Sequence, residues 1–317
     1  MRDARNSLDR RSFLKLGASG VAAASSAGFL PELLAEPAGA VVLRSAAMEL
    51  RLDGATGLPM EYRLVRSGVR FTGDVSGVPL QARLCRREPW EFAGVAVRPS
   101  GHRVSGGRAD FHFTAMFAAE AAAAEFVLRY ALEGRTVRVT LEEVQERAGF
   151  ELISLGMPSL VSVEEHDSDA WLAHGNAGGD MVALSEAKAG KLGVNSFWGE
   201  INGVLPVVMA GHSGAVCVQE TTAFMDGTLL SVEGGAPKRR ACLGTTKVHR
   251  VDGGACYNMN LGRGMPLSCG NRATPNLIVE QTSACRLDFL EPAAGGRALN
   301  WMDGAKLVRA RMPGIPN

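Results

Sequence analysis

Met48-Glu49-Leu50-Arg51-Leu52-Asp53-Gly54-Ala55-Thr56-Gly57-Leu58-Pro59-Met60-Glu61-Tyr62-Arg63-Leu64 decides the fold of this chain. Apolar and charged side chains alternate on both sides of a Gly-containing turn. Successive side chains of a strand point to opposite faces, so Met48, Leu50 and Leu52 are expected inward, with Glu49, Arg51 and Asp53 in water. Gly54-Ala55-Thr56-Gly57 reverses the chain. Met60, Tyr62 and Leu64 then resume the inward face, with Glu61 and Arg63 outside. Such a half-buried hairpin is the unit of an antiparallel sheet with one wet face.

The same period recurs downstream. Phe111, Phe113, Ala115 and Phe117 alternate with His112, Thr114 and Met116. Phe126, Leu128, Tyr130 and Leu132 lead to a turn at Glu133-Gly134-Arg135, and Val137, Val139 and Leu141 return. Ala118–Ala124 between them is Ala-rich but too short for an independent helix, and reads as a helical turn or loop. Phe150–Val163 is a longer apolar run interrupted by Gly156 and Pro158. Val204–Ala210 and Gly214–Glu220 form a further hairpin across Gly211-His212-Ser213-Gly214, and Leu277–Glu280 and Cys285–Leu290 close the series. The 38 glycines fall at short intervals, which favours many turns between short strands. No repeat of fixed period is visible, against a propeller or solenoid. The expected fold is all-β, a large antiparallel β-sandwich with short helical turns.

Three segments are expected: 1–40 as an export signal, 41–295 as the sandwich and 296–317 as a linker cut short or the start of a missing catalytic barrel. In the first, Arg10-Arg11-Ser12-Phe13-Leu14-Lys15 precedes a weakly apolar stretch, Leu16–Leu30, built mainly of Ala, Gly and Ser. Arg10, Arg11, Phe13, Leu14 and Lys15 make a twin-arginine signal, an address read by the twin-arginine translocase that exports folded proteins. Asp9 departs from the Ser or Thr usual before the arginines. Ala38-Gly39-Ala40 fits small-x-small cleavage after Ala40, with Ala22-Ala23-Ala24 an earlier alternative. The stretch is too short and too rich in Gly and Ser for a permanent membrane anchor. The expected location is periplasmic or extracellular.

Removing the five basic and four acidic residues of the first forty leaves 29 charges of each sign in the remaining 277 residues. That balance gives no electrostatic argument for a nucleic-acid partner. Six cysteines (Cys85, Cys217, Cys242, Cys256, Cys269 and Cys285) all follow the signal. A chain that folds in a reducing cytoplasm must be stable before any disulfide forms, so buried thiols are expected.

Most chemical signatures are missing: no Cys-x-x-Cys, His-Glu-x-x-His, phosphate loop or Gly-x-Ser-x-Gly elbow. Gly262-Arg263-Gly264 lacks the third glycine of a dinucleotide site, and neither cofactor nor metal is expected. His212 and Ser213 are neighbours, but strand neighbours point apart and would not form a catalytic pair. Glu164-Glu165-His166-Asp167-Ser168-Asp169 lacks the spacing of a calcium loop and reads as a solvated turn. The most suggestive stretches are Trp171-Leu172-Ala173-His174-Gly175-Asn176 and Ser196-Phe197-Trp198-Gly199-Glu200-Ile201-Asn202. Each sets an indole beside amide or carboxylate groups in Gly-rich chain. An indole covers the C–H face of a sugar while polar groups bind its hydroxyls, so Trp171, His174, Asn176, Trp198, Glu200 and Asn202 are sugar-binding candidates. The competing reading places Trp171 and Trp198 in the core.

The C-terminal Leu299–Arg309 looks like a loop entering a helix, with Ala305 and Val308 apolar, and reads as chain with nothing to pack on. Leu52–Pro59 and Asn300-Trp301-Met302-Asp303-Gly304-Ala305 together resemble the galactose-mutarotase-like β-sandwich that precedes the catalytic barrel in bacterial glycoside hydrolases of the endo-α-N-acetylgalactosaminidase type. The resemblance spans about Val41 to Asn317. It implies a supersandwich that binds glycan, and catalytic carboxylates that would sit on a barrel for which this chain offers no counterpart. A truncated enzyme, a fragment or a sandwich kept for sugar binding would each fit. Three functions follow: the non-catalytic front of a glycoside hydrolase-like protein, a stand-alone carbohydrate-binding protein, and, on His174 with Glu200, an aldose epimerase.

Overall fold

Strict alternation builds the strands, and long-range pairing decides where they bend. The computed structural model describes residues 39–74, 79–87, 90–117, 122–174, 180–195, 207–221, 227–251, 279–280 and 284–311. Arg10, Arg11, Phe13, Leu14 and Lys15, expected from sequence to form an export signal, lie outside these. Ala40 is exposed and precedes the first strand.

In chain order the strands are β1 (Val41–Arg44), β2 (Met48–Leu52), β3 (Pro59–Leu64), β4 (Arg70–Thr72), β5 (Leu80–Arg87), β6 (Trp90–Val97) and β7 (Pro99–Ser105). Next come β8 (Arg108–Met116), β9 (Ala122–Glu133), β10 (Thr136–Glu146), β11 (Phe150–Glu164), β12 (Trp171–His174), β13 (Asp180–Ala183) and β14 (Gly190–Asn195). The series ends with β15 (Val207–His212), β16 (Ala215–Thr221), β17 (Gly227–Glu233), β18 (Arg240–Val248), β19 (Arg250–Val251), β20 (Val279–Glu280) and β21 (Ala284–Leu290), followed by helix α1 (Trp301–Ala310). One large sheet runs β1-β2-β3-β4-β11-β18-β17-β14, with β5 also on β11 and β6 on β5. The other runs β13-β12-β15-β16-β21-β10-β9-β8-β7, and β19 pairs with β20. Neighbouring strands are antiparallel throughout both sheets. The chain is an antiparallel β-sandwich, as its alternation requires.

The core lies between the sheets. Leu50 pairs with Tyr62 and Met48 with Leu64, and all four are fully buried. Tyr62 packs on Phe289 at 4.6 Å and Phe71 meets Phe289 edge-on at 5.3 Å, joining the two sheets. The Tyr62 hydroxyl donates to the Leu160 carbonyl at 3.0 Å, so its polar tip is satisfied inside. Phe111, Phe113, Ala115 and Phe117 also face inward. Each buried large apolar side chain contributes about 1.5–3 kcal/mol. Cys85, Cys217, Cys242 and Cys285 are buried, and burial pushes the Cys217 and Cys242 thiols up.

Several expectations need correction. Met60 is 41% exposed, because an irregularity between Arg51 and Leu52 sets Leu52 opposite Pro59 and turns Met60 outward. Ala122–Ala124 are strand: they pair with Met116 and Ala115 on one side and Glu146 on the other, and sheet pairing overrides alanine's helix preference. Phe150–Glu164 is one long strand: Gly156 pairs with Thr246 and Gln81 within it, and Pro158 falls in the bulge between Met157 and Val161. The C-terminal segment does find a seat. Asn300 caps α1 in a capping box with Asp303, and Val308 is buried with Met209 and Val218 on the outer face of β15 and β16.

The outer face of β8–β10 carries an ionic network. Arg108 and Arg129 donate to Asp110 at 3.0 and 2.7 Å, and Arg129 also pairs with Glu142. Burial disfavours the Asp110 carboxylate, but the bonds from Arg108 and Arg129 outweigh it and bring its pKa down to about 2. A folded-state pKa below the unfolded value gives stability that is present above about pH 4 and lost as pH falls toward 2. Urea unfolding of wild type should therefore lose about 2 kcal/mol more over that window than Asp110→Asn. Equal losses would remove Asp110 from the acid response.

Candidate functional site

The inward rows change character at one end of the sandwich. On β16, Ala215 and Cys217 belong to the core, and the next residues of the same parity are Gln219 and Thr221. On β18, Ala241 and Leu243 are followed by Thr245 and Lys247, and then by His249 just past the strand. On β17, Val232 and Leu230 lead back to Thr228. Period two places each set on the inner face. All these ends coincide. Thr228 pairs with Thr245, β16 ends at Thr221 with five residues between it and β17, and Cys285 near the start of β21 is opposite Thr221.

These polar groups are inside the protein. Gln219 and Lys247 are 0% exposed, Thr245 1%, Thr228 2%, Thr221 3% and His249 5%. Gln219 Nε2 donates across the sandwich to the Gly244 carbonyl. A carbonyl can only accept, so this bond fixes the amide orientation and presents Gln219 Oε1 as an acceptor. Neither that oxygen nor Thr221 Oγ1 has a hydrogen-bond partner among the described residues. A buried polar atom left unpaired costs about 1–3 kcal/mol, so two on one strand face call for a ligand or water. At the His249 end of β18, Glu146 Oε1 accepts from the Leu152 amide at 2.8 Å and lies 4.0 Å from His249 Nε2. The His249 amide donates to the Ile153 carbonyl at 3.0 Å, holding that histidine at the same end. This arrangement can receive hydroxyl donors and sets a carboxylate beside an imidazole.

Of the residues singled out from sequence, the structure separates Trp171 from His174. Trp171 joins the apolar cluster on the outer face with Ala173 and Met209, its ring so close to Gly211 that a Cβ there would meet it at 2.5 Å. His174 lies three residues on, with the parity of the core residue Leu172, and pairs with Val208 at the polar end. Asn176, Trp198, Glu200 and Asn202 fall outside the described residues. Gln219, Thr221, Thr228 and Thr245 were not singled out at all. Polar residues after an apolar run are their signal in the sequence, and the register decides which of them point inward.

The histidine and serine of the turn at the other end do meet, contrary to expectation. Ser213 and Gly214 form a two-residue turn with φ of 50° and 72°, so Ser213 has left the strand, and its Oγ lies 3.2 Å from His212 Nδ1. Ser213 is exposed, while burial pushes the His212 pKa down and its ring meets Phe71 edge-on at 4.7 Å. The contact closes a turn. Glu164 and Glu165 pair with Arg240 and Arg239 at 2.8 and 2.9 Å, so the acidic stretch ties β11 to β18. Among the described residues no group of three or more His, Cys, Asp or Glu could hold a metal. A groove of about 350 Å³ lies on the outer face of β8–β10, lined by Thr114, Glu125, Glu143 and Gln145 among others.

No protein-family model matches the chain, and no curated protein matches it. Solved structures do. A galactose mutarotase related enzyme from Lactobacillus acidophilus matches with a TM-score of 0.49 and 8% identity, over 83% of this chain and 100% of that one. A Synechocystis sp. PCC 6803 protein matches at 0.46 and 13% identity, over 84% and 99%. The GH36 α-galactosidase AgaB from Geobacillus stearothermophilus matches at 0.44 and 11% identity, over 81% of this chain and 40% of that one.

Proposed function

We propose that this protein is an exported, carbohydrate-binding β-sandwich of galactose-mutarotase-like type, acting as the non-catalytic part of a glycoside hydrolase-like protein. The observation that carries the binding is the pair of buried oxygens on β16, Gln219 Oε1 and Thr221 Oγ1, which have no hydrogen-bond partner among the described residues. A sugar offers several adjacent hydroxyl donors, and meeting both oxygens would recover the desolvation they cost. Thr228 and Thr245 supply hydroxyls from the opposite sheet. Export rests on Arg10-Arg11-Ser12-Phe13-Leu14-Lys15. Replacing both arginines by lysine should leave the protein in the cytoplasm, and continued export would end that part of the reading.

Calorimetry on the chain from Val41 onward tests the binding. Heat with at least one member of a panel of free aldoses and short glycans is expected, and none across the panel would overturn it. An aldose epimerase on the same sandwich is favoured by one contact, Glu146 with His249 at 4.0 Å, since such a reaction needs a positioned acid and base. Polarimetry with fresh D-galactose decides between them: the binding reading expects an unchanged mutarotation rate.

A further inference from the structure

Strand β16 is occupied on both faces. Gln219 and Thr221 face the interior, whereas Val218 and Glu220, which alternate with them, face α1. The helix sits close: a Cβ on Gly304 would meet Met209 Sδ at 2.7 Å and Val218 Cγ2 at 3.0 Å. At its C-terminal end, Arg311 Nη1 donates to Glu220 Oε2 at 3.1 Å and Nη2 lies 2.7 Å from Asp288 Oδ2. Asp288 on β21 is itself fixed by Arg286 at 2.8 Å and by the Thr136 hydroxyl at 2.7 Å. One guanidinium therefore bridges β16 and β21, the adjacent strands on which Thr221 and Cys285 are partners. Glu220 lies in sequence between the two site residues, so a shift of its backbone moves both.

We propose that α1 is a clamp on the sugar site, with Arg311 as its positioning residue, so that helix docking and sugar binding are energetically coupled. This rests on the carbohydrate reading above. The coupling runs through a single strand with the helix on one side and the ligand on the other. It is reciprocal: whatever factor the docked helix adds to sugar affinity, the bound sugar adds to helix docking. A helix that only stabilises the sandwich would show no such return effect.

The test uses the full chain, with D-galactose and D-glucose as probes and amide hydrogen exchange as a second readout. Arg311→Leu should weaken sugar binding about tenfold and speed exchange over Val216–Thr221 by a similar factor. Exchange over Met48–Leu64, remote from α1, should not change. Arg311→Lys, which keeps the charge, should restore most of both. Sugar should protect Trp301–Ala310 in wild type beyond any protection of Met48–Leu64. Unchanged affinity, or no such extra protection, overturns the clamp. If wild type binds neither sugar, the carbohydrate reading fails for those probes. The clamp then falls with it, whereas sugar binding without the extra protection of Trp301–Ala310 overturns the clamp alone.

Discussion

Gly244→Ala is expected to lower stability by about 3 kcal/mol or more. Gly244 sits on β18 opposite the second bulge of β11, where Met157 pairs with Thr245 and Val161 with Leu243. Residues 158–160 therefore face Gly244 alone. A Cβ there would meet the Pro158 and Met157 carbonyl oxygens at 2.4 and 2.5 Å. These are backbone atoms, which cannot swing aside as a side chain could. The bulge cannot retreat either, because the Leu160 carbonyl accepts from the buried Tyr62 hydroxyl. The Gly244 carbonyl also holds Gln219, so the damage should reach the site. Gly235→Ala is the control, since a Cβ there meets nothing within 4 Å. Urea unfolding should separate the two variants clearly, and a Gly244→Ala cost below about 1 kcal/mol would show that the strands can part.

Thr221→Val should have the opposite signature: an intact or slightly firmer fold with at least a tenfold loss of sugar affinity. The two side chains are nearly isosteric, so packing is preserved while the hydroxyl is removed. In the ligand-free protein that hydroxyl is buried and has no partner among the described residues, so deleting it relieves a desolvation cost of about 1–3 kcal/mol. In the proposed complex it would meet a sugar hydroxyl, and its loss would leave the ligand group unpaired. Gains in stability paired with losses in function are expected where a site is held polar for a ligand. Thermal unfolding and calorimetry on the same sample check both halves. A destabilised variant that still binds sugar would show Thr221 to be an ordinary structural residue.

What the sequence reveals follows from which contacts are local. The 48–64 hairpin is legible because alternation is written in consecutive residues, and Tyr62, Leu64, Met48 and Leu50 face the core as their parity requires. Met60 misleads because the irregularity at Arg51 belongs to the pairing of β2 with β3, not to either strand alone. The polar end is hidden for a related reason. In Ala215-Val216-Cys217-Val218 both parities are apolar, since β16 is covered by the opposite sheet on one face and by α1 on the other. Which of Gln219 and Glu220 points inward is then undecidable without the register. Trp171 likewise reads as an exposed platform until β12 is paired with β15 and its ring comes to lie on Gly211, forty residues away. The helix at 301–310 was visible in outline, but its seat depends on Met209 and Val218 meeting Gly304.

The central claim is that sugar is bound between the sheets, at the polar end, and not on an outer face. Threonine-methyl NMR of the chain from Val41 onward, titrated with D-galactose, tests it most directly, because the relevant methyls lie in distinct places. Thr221, Thr228 and Thr245 are on the inner face, while Thr114 lines the groove on the outer face of β8–β10. The account expects saturable shifts at Thr221, Thr228 and Thr245 with Thr114 unmoved. Shifts confined to Thr114, or none at any of the four, would contradict it.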